Sequence, residues 1–227
     1  IDGTLTDRST GEIVPSAREA LTRLEENGHF VAIATGRAHY KARKFTDANG
    51  FKNMVCCGGN GCVIDNELVE NIPLDKDGCI KIIHQAEELG YGWCVALDDT
   101  KDVYMTDDKF LRQVGKRKEP TRYIIDDMLE VEKADAIYKV YVAIPKEDEE
   151  KLTTKELVGH LRFEPEYLMF QPDNKRGGII KMMEHLNADI KDVVVFGDDY
   201  NDMDMFCPEW FSIAMGNACQ DLKDIAN

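Results

Sequence analysis

No stretch of this chain approaches the roughly 20 consecutive apolar residues that a membrane-spanning helix needs. No signal-peptide pattern is visible in its 227 residues either. Basic residues are few: 28 Lys and Arg stand against 43 Asp and Glu, a formal net charge of -15. A field of that sign repels nucleic acid and anionic membranes, so neither is expected as a partner. Internal repeats and low-complexity tracts are lacking. So is zinc-site spacing: Cys56, Cys57 and Cys62 lie close in sequence, but no fourth ligand follows at the usual interval. An initiator methionine is missing as well, because the chain opens Ile1-Asp2-Gly3-Thr4-Leu5-Thr6.

What is present suits a globular protein. Apolar residues make up 43% of the chain, and its length fits one large domain or two modest ones. Seven cysteines, an odd number, sit mostly among apolar neighbours. There a thiol behaves as a small hydrophobe, and a reducing, cytoplasmic location is expected. The short basic run Gly115-Lys116-Arg117-Lys118, followed by Glu119, reads as solvated surface.

The first part alternates helix and strand signals. Ser16-Ala17-Arg18-Glu19 has the form of a capping box, Ala17, Ala20, Leu21 and Leu24 make an apolar stripe, and Gly28 ends the helix. Phe30 to Ala34 reads as a strand covered on both faces, a second helix spans about Ala38 to Ala48, and Met54 to Cys57 is another strand. Short β-α-β connections of this kind imply a parallel sheet. Asp65-Asn66 predicts a hairpin turn. A mixed segment follows, with a helix signal through Ile80 to Leu89 and strands at Trp93–Leu97, Ala136–Ile144, Leu161–Phe163 and Tyr167–Phe170. Trp93, Tyr104 and Tyr138 are expected to pack in its core rather than line a pocket. From Lys175 the α/β pattern resumes, with a helix from about Gly178 to Leu186 and buried strands at Val193–Phe196 and Phe211–Ala214. The fold class is therefore α/β. It has a Rossmann-like parallel-sheet core at residues 1–76 and 172–227, interrupted by an α+β insert at residues 77–171.

Open parallel sheets bind ligands at the carboxyl ends of their strands. Those positions hold Asp2-Gly3-Thr4, then Thr35-Gly36-Arg37, then Gly197-Asp198-Asp199 with Asn201 and Asp202; Lys175 stands where the insert rejoins the core. Each has an ordinary alternative. Asp2-Gly3 and Asp198-Asp199 are turn dipeptides, Thr35 and Asp202 can cap helices, and a lone Lys175 would be a surface lysine. Together they make another kind of site. Converging carboxylates need a cation, and hard oxygen donors suit Mg²⁺, which also binds phosphate oxygens. A hydroxyl, backbone N–H groups and an ammonium can hold the rest of a phosphoryl group.

These motifs resemble the haloacid dehalogenase superfamily, whose pattern is Asp-x-Asp-Gly-Thr, a strand ending in Thr or Ser, Lys, and Gly-Asp-x-x-Asn-Asp. All four occur here in order. The insert between the second and third motifs resembles the type-2 cap of the Cof-like (class IIB) phosphatases, as do Asn60-Gly61 and Ala214-Met215-Gly216-Asn217-Ala218. The resemblance implies a Mg²⁺-dependent phosphatase acting on a small phosphorylated metabolite. Its nucleophilic aspartate would directly precede Ile1. Asp2 would be the general acid and base. Thr35, Gly36 and Lys175 would hold the phosphoryl group. Asn201 would support phosphate or metal, and Arg37 and Asn60 would face substrate. Mg²⁺ would be held by Asp2 through its carbonyl, by Asp198 directly and by Asp202 through water, with Asp199 nearby. The sequence is read as cut at both ends, stopping mid-helix at Lys223–Asn227. A phosphomutase, or an inactive binding protein of the same fold, are the alternatives.

Overall fold

In this computed structural model residues 1–117 and 121–227 are described. They fall into two compact units: residues 1–37, 42–71 and 174–227 form the first, and residues 38–41 and 72–173 the second.

The first unit begins with a tight loop in which the Ile1 carbonyl accepts the N–H groups of Leu5 at 2.9 Å and Thr6 at 3.1 Å. Gly3, with φ +90°, makes the turn. Helix α1 (Pro15–Glu26) follows. The expected capping box is not its start. Val14 is the N-cap and contributes no side-chain bond, because Pro15, with its fixed φ and no N–H to satisfy, takes the first helical position. The chain closes the helix at Gly28, whose N–H reaches Glu25 O at 2.9 Å. Strand β1 is only Ile33–Ala34, and Phe30 is half exposed rather than covered on both faces. Helix α2 (His39–Asn49) leads to β2 (Met54–Cys56), which pairs parallel with β1. Strands β3 (Gly61–Ile64) and β4 (Glu67–Asn71) complete an antiparallel hairpin on β2. Asp65 and Asn66, both at positive φ, form its turn.

The second unit carries α3 (Lys76–Glu88), capped by the Asp75 side chain on Gly78 N–H, then β5 (Trp93–Ala96) and β6 (Asp102–Met105). Helix α4 (Lys109–Val114) and strands β7 (Arg122–Ile125), β8 (Lys139–Val142), β9 (His160–Glu164) and β10 (Tyr167–Phe170) follow. They form one sheet in the order β7-β6-β5-β8-β10-β9, antiparallel except for the parallel β6–β7 pair. Ile82 and Ile83 of α3 pack with Val95, Val140 and Phe170 on one side, while Phe110 of α4 packs with Cys94, Tyr141 and Met169. Trp93 is buried in the first cluster, and Tyr104 packs against it. The basic run departs from expectation: Arg117 turns inward, 3.8 Å over the Tyr141 ring. Lys118 and Glu119 lie outside the described residues.

The chain then returns to the first unit through α5 (Lys175–Leu186), capped by the Asn174 side chain on Gly177 N–H. The helix thus starts at Lys175 rather than near Gly178, because Asn174 supplies the cap. Strands β11 (Val194–Gly197) and β12 (Phe211–Ala214) pair in parallel. Neither is fully buried as expected: Val194, Phe196 and Phe211 are about half exposed, while Val195 and Ser212 point inward. The last helix, α6 (Gln220–Ile225), ends before Asn227, which is tied instead to Ser212 through both backbone and side chain. Ala34 and Ile179 belong to the core clusters of both the four-stranded sheet and the β11–β12 pair, so α5 joins them. Four thiols, Cys56, Cys62, Cys79 and Cys94, are buried, and the other three are half buried.

Candidate active site

Helix α5 fits against β2 because glycines make room. A Cβ on Gly178 would lie 2.4 Å from Val55 Cγ1, and one on Gly59 would lie 1.9 Å from the Asn174 carbonyl oxygen. The Asn174 N–H donates to Gly58 O at 2.8 Å, fixing the helix start. Lys175 is therefore delivered, only 2% exposed, to the carboxyl end of β11. Its ammonium donates to Asp202 Oδ1 at 2.6 Å and to the Asn201 carbonyl at 2.7 Å.

Asp202 organises that strand end. Its Oδ2 accepts the N–H groups of Asp198 at 3.0 Å and Asp199 at 3.4 Å. The last contact is half of a capping box with Asp199 at the start of the short 3₁₀ turn Tyr200–Met205. Asp198, buried like Asp202, accepts the Thr4 hydroxyl on Oδ1 at 2.5 Å and the Arg8 guanidinium on Oδ2 at 2.6 Å. Arg8 also reaches Asp199 at 3.1 Å.

The second motif approaches from β1. Thr35 is buried, its N–H on Val55 O at 2.9 Å and its Oγ1 accepting the Arg37 N–H at 3.2 Å, a turn that carries Gly36. Arg37 reaches Asp2, with Nη2 at 2.9 and 2.7 Å from the two carboxylate oxygens, and its guanidinium lies 5.7 Å from the Phe45 ring centre. Asn60 follows the 3₁₀ turn Cys57–Gly59 that Thr35 and Asn174 anchor.

The sequence-derived set thus comes together in part. Asp198, Asp202 and Lys175 form one charged cluster, with the Asn201 backbone attached. Asp2 and Arg37 form a second pair. The Asn201 side chain is exposed, and what it supplies is a carbonyl. Among the described residues no three His, Cys, Asp or Glu side chains are grouped as a metal cage. Mg²⁺ does not need one, since it binds through one or two carboxylates, waters and substrate phosphate. Asp198 fits that requirement: it is a buried carboxylate already holding a cation, the Arg8 guanidinium. Sequence reading named Thr4 and Asn217 within motifs without giving either a role, and it gave none to Arg8; the Asn217 Nδ2 donates to Gly3 O at 2.9 Å. It also missed Asn174, although an Asn directly before a helix was a visible cap signal.

The whole of this chain, residues 1–227, matches the family model described as haloacid dehalogenase-like hydrolase. The chain belongs to that family. It is 28% identical over 230 residues to the putative phosphatase YkrA of Bacillus subtilis strain 168, a match covering 100% of this chain and 88% of YkrA. It is also 28% identical over 249 residues to the pyridoxal phosphate phosphatase YbhA of Escherichia coli K12, covering 100% of this chain and 89% of YbhA. A solved structure described as the HAD subclass IIB sugar phosphatase BT4131 superposes with a TM-score of 0.74 at 22% identity, covering 100% of this chain and 89% of that one, a likeness of fold. The α/β fold class and the family resemblance are thus both supported, and the enzyme is a phosphatase of this family. No helix among the described residues is long and apolar enough to cross a membrane.

Proposed function

We propose that this enzyme is a Mg²⁺-dependent phosphomonoester hydrolase of small phosphorylated metabolites, sugar phosphates first, working through an aspartyl-phosphate. The observation that carries this reading is the buried Lys175–Asp202–Asp198 cluster at the carboxyl end of β11. The family resemblance puts the nucleophilic aspartate directly before Ile1, in the same unit as that cluster. That aspartate attacks phosphorus, the P–O bond to the leaving alcohol breaks, and a phospho-enzyme forms. Asp2 gives the leaving oxygen its proton and then takes one from the attacking water. Thr35 and Lys175 hold the phosphoryl oxygens, with the Gly36 backbone N–H beside them. Arg37 orients Asp2 and, with Asn60, meets the substrate. Asn201, through its carbonyl, keeps Lys175 in place.

Mg²⁺, held by Asp198, by the Asp2 carbonyl and through water by Asp202, would supply positive charge to the phosphoryl oxygens. The second unit, residues 72–173 with 38–41, is proposed as the cap that keeps water out until the phospho-enzyme has formed. The buried thiols favour a reducing, cytoplasmic setting.

The test is phosphate release by the full-length protein from a panel of sugar phosphates and pyridoxal phosphate, with Mg²⁺ and then with a chelator. Turnover that the chelator abolishes is expected. Turnover indifferent to the chelator would overturn the metal assignment, and no release from any ester by folded protein would overturn the hydrolase reading.

A further inference from the structure

Arg8 lies on the exposed loop after the first motif, and no motif reading assigns it a role. Its side chain remains 57% exposed, yet its Nη2 ends 2.6 Å from Oδ2 of Asp198, whose side chain is 2% exposed. The same nitrogen lies 3.1 Å from Asp199 Oδ2. The approach runs over Gly3: a Cβ there would lie 2.1 Å from Asp198 Oδ2 and 2.6 Å from Arg8 Nε. Only a residue without a side chain leaves that path open. The loop holding Arg8 is closed on itself by Asp7 N–H to Glu12 O at 3.0 Å and Gly11 N–H to Asp7 O at 2.8 Å. The guanidinium is thus carried on a formed turn rather than on a loose tail.

We infer that Arg8 is a tethered cation that competes with Mg²⁺ for Asp198, so that metal loading requires the Arg8 fork to leave. The inference rests on the metal reading above. Asp198 has two oxygens, and Thr4 takes one. A divalent cation at the other would face a guanidinium at hydrogen-bond distance, and like charges that close repel, so the two cannot share that oxygen. Competition of this kind is reciprocal: whatever Arg8 costs the metal, the metal costs the Arg8 contact. Arg8 would keep the acidic cluster neutralised at low Mg²⁺ and set the concentration at which the site loads.

The experiment is Mg²⁺ titration of the full-length protein by calorimetry, without substrate, for wild type, Arg8→Gln and Arg8→Lys. Arg8→Gln is expected to bind Mg²⁺ about 5-fold tighter or more. Arg8→Lys, which keeps the charge but not the fork, should fall between it and wild type. In arginine-labelled wild-type protein the Arg8 Nε–H resonance should shift on Mg²⁺ addition. Unchanged or weaker affinity in Arg8→Gln, with normal binding by wild type, would overturn this inference alone. Absence of Mg²⁺ binding in all three proteins would overturn it together with the metal assignment.

Discussion

The Lys175 ammonium lies 2.6 Å from Asp202 Oδ1, and both side chains are almost wholly buried. Between them they tie the start of α5 to the end of β11. Breaking a buried pair strands an uncompensated charge. Lys175→Met is therefore expected to lower stability by about 3–5 kcal/mol. Denaturant unfolding would show this as a lower midpoint. Phosphatase activity should be lost even at temperatures where the variant remains folded.

Arg37 and Asp2 make the contrasting case. Asp2 is 65% exposed and Arg37 27% exposed, so the pair is worth at most about 1 kcal/mol to the fold. Its expected contribution is positional. Arg37→Ala should leave the melting temperature nearly unchanged and reduce kcat by about 10- to 100-fold, the cost of a misplaced catalytic group. Comparable losses in kcat and in melting temperature would argue against that role.

Gly59 has φ +109°, and a Cβ there would lie 1.9 Å from the Asn174 carbonyl. Gly59→Ala must both strain the backbone and push α5 away from the 3₁₀ turn Cys57–Gly59. The positive φ alone costs about 1–2 kcal/mol. A lowered melting temperature together with reduced turnover is expected, because Lys175 is the first residue of that helix.

Asp102 and Arg122 give the second unit a pH dependence. Hydrogen bonds from Arg122, including Nε to Oδ1 at 2.7 Å, hold the Asp102 carboxyl below its ordinary value of 3.8, against burial, which acts the other way. A depressed folded pKa gives stability that is present above the unfolded value and lost as pH falls through the folded one. Asp102→Asn should therefore melt lower than wild type at neutral pH, with the difference shrinking as pH drops below the usual carboxylate range. A difference that stayed constant down to acid pH would show that the ion pair is not its source.

Much of the fold could be read along the chain. The Asp65-Asn66 turn was visible because its chemistry is local. The return to α/β pattern at Lys175 was visible because apolar periodicity is local too. The errors came where neighbours decide. Phe30, Val194 and Phe211 look like fully covered strand residues, since a short apolar run cannot say which of its faces is packed. Ser16 lost the capping role to Val14 because Pro15 claims the first helical position. Arg117 left the surface because Tyr141, 24 residues away in sequence, offers its ring.

The candidate site divides in the same way. Sequence by itself determined the inventory: Asp2, Thr35, Lys175, Asp198 and Asp202, in an order and with neighbours that specify a family and its phosphatase chemistry. Only tertiary structure decided the partnerships. Asp202 faces Lys175 rather than joining Asp2, Asp2 is held by Arg37, and Asp198 is held by Thr4 and Arg8 from 194 and 190 residues away. Motifs record which groups a chemistry needs, because spacing along a strand or turn is local. Which charge neutralises which is set by packing among distant segments, and no pattern along the chain encodes that directly.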